Sequence, residues 1–195
     1  MASYLRHFLT PRHLFRYSYR VAVGLAGISF LHNSVLEVTG VQGHSMSPTL
    51  SPEYYETGRK DLVLFNRLTP THELRRGDIV SFWAPHAPER ISVKRVVALE
   101  GDTVITKGRG NRPQYLFPRL VVPHNHVWVE GDNWRNSRDS NDFGPLSKGL
   151  INGRAVCVVS PWSRYNAIAE AHGFKPRSTV VPCKGPSMIP PEFVD

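Results

Sequence analysis

Between residues 61 and 159 the chain repeatedly starts a short apolar run and stops it with glycine, proline or aspartate. This punctuation constrains the fold more than any other feature. Asp61–Phe65 reads DLVLF, and Asp78–Trp83 reads DIVSFW after the turn signal Arg76-Gly77. Ile91–Ala98 (ISVKRVVA) alternates in part, and Thr103–Thr106 follows Gly101-Asp102. His126–Glu130 (HVWVE) stops at Gly131-Asp132, and Ala155–Val159 (AVCVV) stops at Ser160-Pro161. Short runs between such turns predict a mainly β, mostly antiparallel domain. A helical period after residue 45 is found only over Arg164–His172, which reads as a short helix. Ser51–Lys60 and Lys107–Pro118 read as loops. From Lys175 onward, Pro176, Pro182, Pro186, Pro190 and Pro191 predict an extended or disordered tail.

The N-terminal part obeys a different pattern. Val21–Leu31 (VAVGLAGISFL) is uncharged, and Val35, Leu36, Val38 and Val41 continue it past His32-Asn33, with Glu37 among them. As a helix, Val21–Val38 would measure about 27 Å, close to the hydrocarbon thickness of a bilayer. It is therefore read as a single membrane anchor, with a cleaved targeting sequence or a buried helix as the alternatives. Residues 1–20 carry Arg6, Arg12, Arg16 and Arg20 and no acidic residue. That suits a mitochondrial address as well as the positive flank of an anchor, and such a flank stays on the matrix or cytoplasmic side. The expected organisation is a basic arm over 1–20, an anchor over 21–38, a globular domain over 41–165 and a helix end with a Pro-rich tail over 166–195. Roughly 130 residues remain for the globular part, one domain's worth.

The net charge of +8 admits an anionic membrane surface or nucleic acid as a partner. With no zinc-finger spacing and no basic helix joined to a dimerisation zipper, nucleic acid is set aside. The two cysteines, Cys157 in an apolar run and Cys183 in the tail, form no Cys-x-x-Cys and are not expected to pair.

Three segments could carry chemistry. Gln42–Leu50 (QGHSMSPTL) places Ser45 just after the anchor, but a serine hydroxyl attacks only when a base takes its proton. Ser92–Val97 (SVKRVV) puts Lys94 among valines. Burial there would lower its pKa and make it a general base near neutrality; a lysine on a solvent-facing edge strand is the bland alternative. Glu130–Gly144 is dense in short polar side chains, fit for a tight turn or for groups that surround a reacting pair.

Taken together and in order, these segments are far more specific. Gly-x-Ser-Met-x-Pro-Thr ends at Thr49, Arg-Gly-Asp-Ile-Val spans Arg76–Val80, Lys-Arg-Val-Val-x-x-Glu-Gly-Asp spans Lys94–Asp102, and Gly-Asp-Asn-x-x-x-Ser-x-Asp-Ser spans Gly131–Ser140. Over about residues 20–165 the chain resembles the signal peptidase I family. The resemblance implies an antiparallel β-domain behind one N-terminal transmembrane helix, and a serine endopeptidase with neither cofactor nor metal. It implies Ser45 as nucleophile and Lys94 as general base, with the Ser45 N–H helping to hold the oxyanion. Ser137 would orient the lysine, Asp139 would brace the site, Met46 would pack beside the nucleophile, and Pro48 and Thr49 would shape its turn. Two positions depart from bacterial members. Gly43 stands where those often have a hydroxyl residue as second oxyanion donor, and Asn141 stands in place of an arginine.

Asp139–Leu150 and Pro123–Asn133 are similar to the subunit 2 branch of the mitochondrial inner membrane proteases within that family. This implies a single-pass protein of the mitochondrial inner membrane with its active domain in the intermembrane space. It also implies a hetero-oligomer with an inner membrane protease subunit 1-like partner, and precursor proteins as substrates, trimmed of their sorting peptides after small residues. The competing readings are a bacterial-type signal peptidase at another membrane, and a non-catalytic scaffold subunit. The endoplasmic form normally carries histidine at the position of Lys94, and a self-cleaving repressor would need a DNA-binding domain.

Other candidates are weaker. His124 and His126 form an H-x-H without a third ligand at metal spacing. His44 adjoins Ser45, but neighbours on an extended segment point apart. Gly185–Pro190 echoes Gly43–Pro48 around Ser187, with no lysine motif after it.

Overall fold

The computed structural model describes residues 11–30, 34–107, 116–170 and 174–183. The Ser187 echo lies outside the described residues. The chain opens with helix α1 (Pro11–Phe30) and passes to strand β1 (Leu36–Val41). One turn of helix, α2 (Tyr54–Thr57), lies in the next loop, followed by β2 (Asp61–Asn66), β3 (Ile79–Ala84) and β4 (Ala87–Ala98). Then come β5 (Thr103–Ile105), β6 (Arg119–Val121), β7 (His126–Glu130), the single turn α3 (Ser140–Phe143), β8 (Leu146–Ser147), β9 (Ile151–Ser160), α4 (Ala167–Glu170) and β10 (Thr179–Val181). Each of the six apolar runs of the sequence coincides with a strand. Residues 51–60 form a loop except for the α2 turn.

The strands make a seven-stranded sheet in the order β1-β2-β9-β3-β4-β7-β8 and a three-stranded sheet in the order β10-β5-β6. All pairings are antiparallel. Alternation sets what each strand buries. In β2, Asp61, Val63 and Phe65 face inward while Leu62 is exposed. β4 changes along its length: residues 87–91 are largely exposed, whereas Lys94–Ala98 are buried. Burial in turn divides the core into three clusters. Val80, Phe82, Val96, Val127, Val129 and Leu146 form one. Val41, Met46, Leu50, Val63, Phe65, Ile79 and Val158 form the second. Val97, Val104, Val122 and Trp128 lie between the two sheets' strands in the third.

Three expectations are corrected by this architecture. The stretch Val21–Val38 is not one helix. α1 begins at Pro11 and ends at Phe30, and Leu36–Val38 belong to β1, paired with Leu64–Asn66 of β2. Within β1, Leu36 and Val38 share one exposed face and the buried Val41 lies on the other, the period-2 pattern of a strand. Residues 14–30 of α1 are exposed, and among the described residues no helix is long and apolar enough to cross a membrane, because Arg12, Arg16 and Arg20 interrupt it. The domain therefore begins at β1 rather than at residue 41. It also does not end at 165. The described residues 174–183 of the Pro-rich segment are tied to the body, and β10 pairs with β5 through Val180 opposite Val104. Pro176 and Pro182 flank this short strand and so take no ladder hydrogen bond from it. Cys157 is buried and Cys183 exposed, both as free thiols.

Candidate active site

Ser45 sits in the loop that leaves β1, and two sets of contacts fix that loop. Met46, next to it, is fully buried in the second core cluster, which turns Ser45 away from the core. Ser47 and Leu50 donate backbone N–H bonds to the carbonyls of His44 and Met46, so the segment winds into a turn. Its far end is pinned by Ser51, whose hydroxyl donates to the Val41 carbonyl at 2.7 Å and accepts from the Asp61 N–H at 3.0 Å, while Asp61 Oδ2 accepts from the Ser51 N–H at 2.8 Å. Arg164 closes the arrangement, with Nε 3.1 Å from Asp61 Oδ2 and Nη2 donating to the Thr49 carbonyl at 2.7 Å.

Lys94 reaches this loop from the buried half of β4. Its Nζ lies 2.8 Å from Ser45 Oγ and donates to the Val93 carbonyl at 2.9 Å. The side chain is almost wholly buried, and burial lowers its pKa from 10.5 to about 8, against the pull of Asp139 and Asp132, which favour the charged form. About a tenth of the amine is therefore neutral at pH 7, far more than for an ordinary lysine, and it lies within hydrogen-bonding reach of a hydroxyl. The edge-strand alternative does not hold: β4 lies between β3 and β7. Arg95 points to the opposite face of the strand. There its guanidinium forks onto Asp132, with Nε to Oδ1 at 2.9 Å and Nη2 to Oδ2 at 2.6 Å, and Nη1 donates to the Gly77 carbonyl at 2.8 Å.

The segment after β7 forms the floor. Asn133 donates its N–H to the Ser45 carbonyl at 3.0 Å. Gly131 lies directly beneath Ser137 and Ser45: a Cβ built on it would overlap Ser137 Oγ and sit 2.6 Å from the Ser45 carbonyl oxygen. Only glycine fits there. Ser137 is buried in the same crevice. Asp139 caps α3 through the Asn141 N–H, completes a capping box with Asp142, and accepts the Gly131 N–H on Oδ2 at 3.0 Å. The carboxylate thus holds both the helix start and the glycine under the crevice.

At the two departures, Gly43 has φ +87°, a conformation glycine adopts without strain, and a Cβ there would meet no atom within 4 Å. Asn141 donates to Glu130 Oε1 at 3.0 Å and to Asp139 Oδ1 at 3.2 Å. The structure thus brings Ser45, Lys94, Gly43, Met46, Ser137 and Asp139 into one neighbourhood, Met46 as its buried anchor. His44 turns aside and stacks on Tyr55 at 4.0 Å. His126 begins β7 with Nδ1 2.8 Å from the His124 carbonyl, and His124 faces Glu100. Sequence reasoning missed the Arg95–Asp132 pair and the buried Glu130. The adjoining Lys-Arg and Gly-Asp-Asn motifs signalled the pair. A glutamate closing an apolar strand was the only signal for Glu130.

Comparison with known proteins finds one family and several relatives. The family model described as signal peptidase, peptidase S26 matches residues 14–112 and 109–162. Mitochondrial inner membrane protease subunit 2 of Saccharomyces cerevisiae is 44% identical over 138 residues, covering 69% of this chain and 74% of its own length. The subunit 2 protein of Mus musculus is 42% identical over 152 residues, covering 76% of this chain and 81% of its own. Subunit 1 of the Mus musculus protease is more distant, 36% identical over 131 residues, covering 66% of this chain and 72% of its own.

Proposed function

This chain belongs to the signal peptidase family, peptidase S26, and on that premise we propose that it is the subunit 2-type serine endopeptidase of the mitochondrial inner membrane, cutting with Ser45 and Lys94. The observation that carries the reading is the 2.8 Å approach of a buried amine to a hydroxyl held on a rigid loop. The neutral amine of Lys94 takes the Ser45 proton as Oγ attacks the scissile carbonyl carbon. The ammonium so formed then gives that proton to the departing amine. Water hydrolyses the ester in a second round through the same base. The Val93 carbonyl fixes where the amine points, and Ser137, in the same crevice, is assigned to orient it. Asn133 and Gly131 set the Ser45 backbone, whose N–H is assigned to the oxyanion.

The substrates are precursor proteins carrying sorting signals, cut after small residues while lying extended beside the crevice. The partner is a subunit 1-like protease in a hetero-oligomer. The basic, acid-free residues 1–20 favour a single N-terminal anchor with the arm in the matrix and the β-domain in the intermembrane space. One experiment tests these points together: subfractionation of mitochondria combined with processing of a precursor by wild type, Ser45→Ala and Lys94→Ala. Processing should require both side chains, and the β-domain should become protease-accessible once the outer membrane is opened. Full processing by either variant would leave a scaffold role instead.

A further inference from the structure

The described C-terminal residues 174–183 cross the back of the crevice, and their contacts fall on the neighbours of the residues that build it. Phe174 lies under the Arg95 guanidinium at 5.1 Å, beside the Asp132 fork. Arg177 lies over the Trp134 ring at 5.5 Å, next to Asn133, which holds the Ser45 carbonyl. The Arg177 and Ser178 N–H groups donate to Glu130 Oε2 at 2.8 Å and Oε1 at 3.3 Å, and Ser178 Oγ donates to Asn141 Oδ1 at 3.2 Å.

Glu130 gathers these contacts. It is buried, and its Oε1 also accepts from Trp128 Nε1 and Asn141 Nδ2, each at 3.0 Å. Four donors from three parts of the chain converge on one carboxyl group, and no water is needed to satisfy it. Its place in the sheet gives this meaning. Glu130 is the cross-strand partner of Arg95, the residue after Lys94, and it precedes Gly131, the glycine under Ser45. Asn141, its other partner, also touches Asp139, which holds Gly131 from the far side. Removing the segment would leave the seven-stranded sheet paired, take β10 from the smaller sheet, and free the carboxyl group that ties β7 to α3.

We propose that residues 174–183 are a clamp that sets the distance between Ser45 and Lys94, with Glu130 as the positioning residue through which it acts. The proposal rests on the reading of those two side chains as the reacting pair. Glu130 touches neither of them, so its effect is on geometry rather than on the chemistry.

The test uses the full chain in detergent, wild type against Glu130→Gln and Ser178→Pro. The first turns one acceptor oxygen into a donor that faces N–H groups, and the second deletes the Ser178 N–H. Two readouts are followed: cleavage of an internally quenched peptide with alanine before the cut, and the pH titration of the Lys94 ε-carbon by NMR with ε-13C-lysine. The Lys94 signal is identified by its loss in Lys94→Met. The clamp requires kcat to fall about tenfold or more with KM nearly unchanged, and the Lys94 midpoint to move up from about 8 toward the ordinary lysine value. If either variant fails to fold, Ser178→Ala, which removes only the hydroxyl bond to Asn141, should give about a threefold loss of kcat with the same direction of titration. Lower melting temperature with unchanged kcat and unchanged Lys94 titration would overturn the clamp, because that is what a purely structural brace does. A wild-type chain that does not cleave even with its subunit 1-like partner present, but whose Lys94 titration still depends on Ser178, would retain the clamp and remove the proteolytic reading.

Discussion

Replacing Lys94 by methionine should destroy cleavage and stabilise the fold, and the stabilisation should vanish at high pH. Lys94 is buried, and its pKa is lowered from 10.5 to about 8. That difference corresponds to about 3 kcal/mol of strain against carrying the charge in the folded state. Methionine fills a similar volume without the charge, but it gives up the bonds to Ser45 Oγ and the Val93 carbonyl, a loss of about 2 kcal/mol at about 1 kcal/mol each. The net gain near pH 7 is about 1 kcal/mol, or about 3 °C in melting temperature. The sign of its pH dependence follows from proton counts. Below about 8 the lysine is charged in both folded and unfolded chains, so the penalty is present in full. Between about 8 and 10.5 the unfolded chain binds more protons, and wild-type stability rises with pH until the penalty is gone. Urea denaturation of both proteins across this range reads the difference directly. A Lys94→Met protein that is less stable at pH 7 by an amount that does not change with pH would refute the reasoning, because the amine would then cause no strain.

Other outcomes follow from the same contacts. For wild type, kcat/KM should rise with pH to a plateau through a midpoint near 8, since only the neutral amine accepts the serine proton. In Asp139→Asn that rising limb should move to lower pH, because the Asp139 charge favours the ammonium form; a pH–rate profile decides. Asp139→Ala should lose about 2–3 kcal/mol in urea denaturation, from the lost cap and the orphaned Gly131 N–H. Gly131→Ala should lower kcat by about a hundredfold while circular dichroism stays native, because its Cβ would push on Ser137 and on the Ser45 carbonyl.

The strands and the neighbouring of Ser45 and Lys94 were legible in the sequence for different reasons. Short apolar runs stopped by Gly-Asp, Arg-Gly or Ser-Pro are local signals, and each lies in a strand, though β4 and β9 begin four residues before the runs that signalled them. Ser45 and Lys94 were legible only as parts of ordered motifs, since nothing local separates a buried Lys94 from one on an edge. The start of the domain was misread because Leu36 and Val38 are as apolar as the run before them, and pairing with β2, not hydropathy, makes them strand. The C-terminal docking was illegible for the opposite reason. Prolines argue for an unpaired chain, yet Arg177 and Ser178 find their acceptor in Glu130, 47 and 48 residues away. No window along the sequence holds both ends of such a bond.

The place of β9 has a consequence for how the protein matures. Ser45 follows β1, which pairs with β2, while Lys94 lies in β4, which pairs with β3. These two hairpin units are not adjacent; β9, residues 151–160, is inserted between them and hydrogen-bonded to both. β9 follows both hairpins in the chain, so Ser45 and Lys94 are made and their hairpins can pair before the strand that joins the two halves exists. Until that late strand docks, the two side chains belong to separate hairpins, and their 2.8 Å approach is a property of the finished sheet alone.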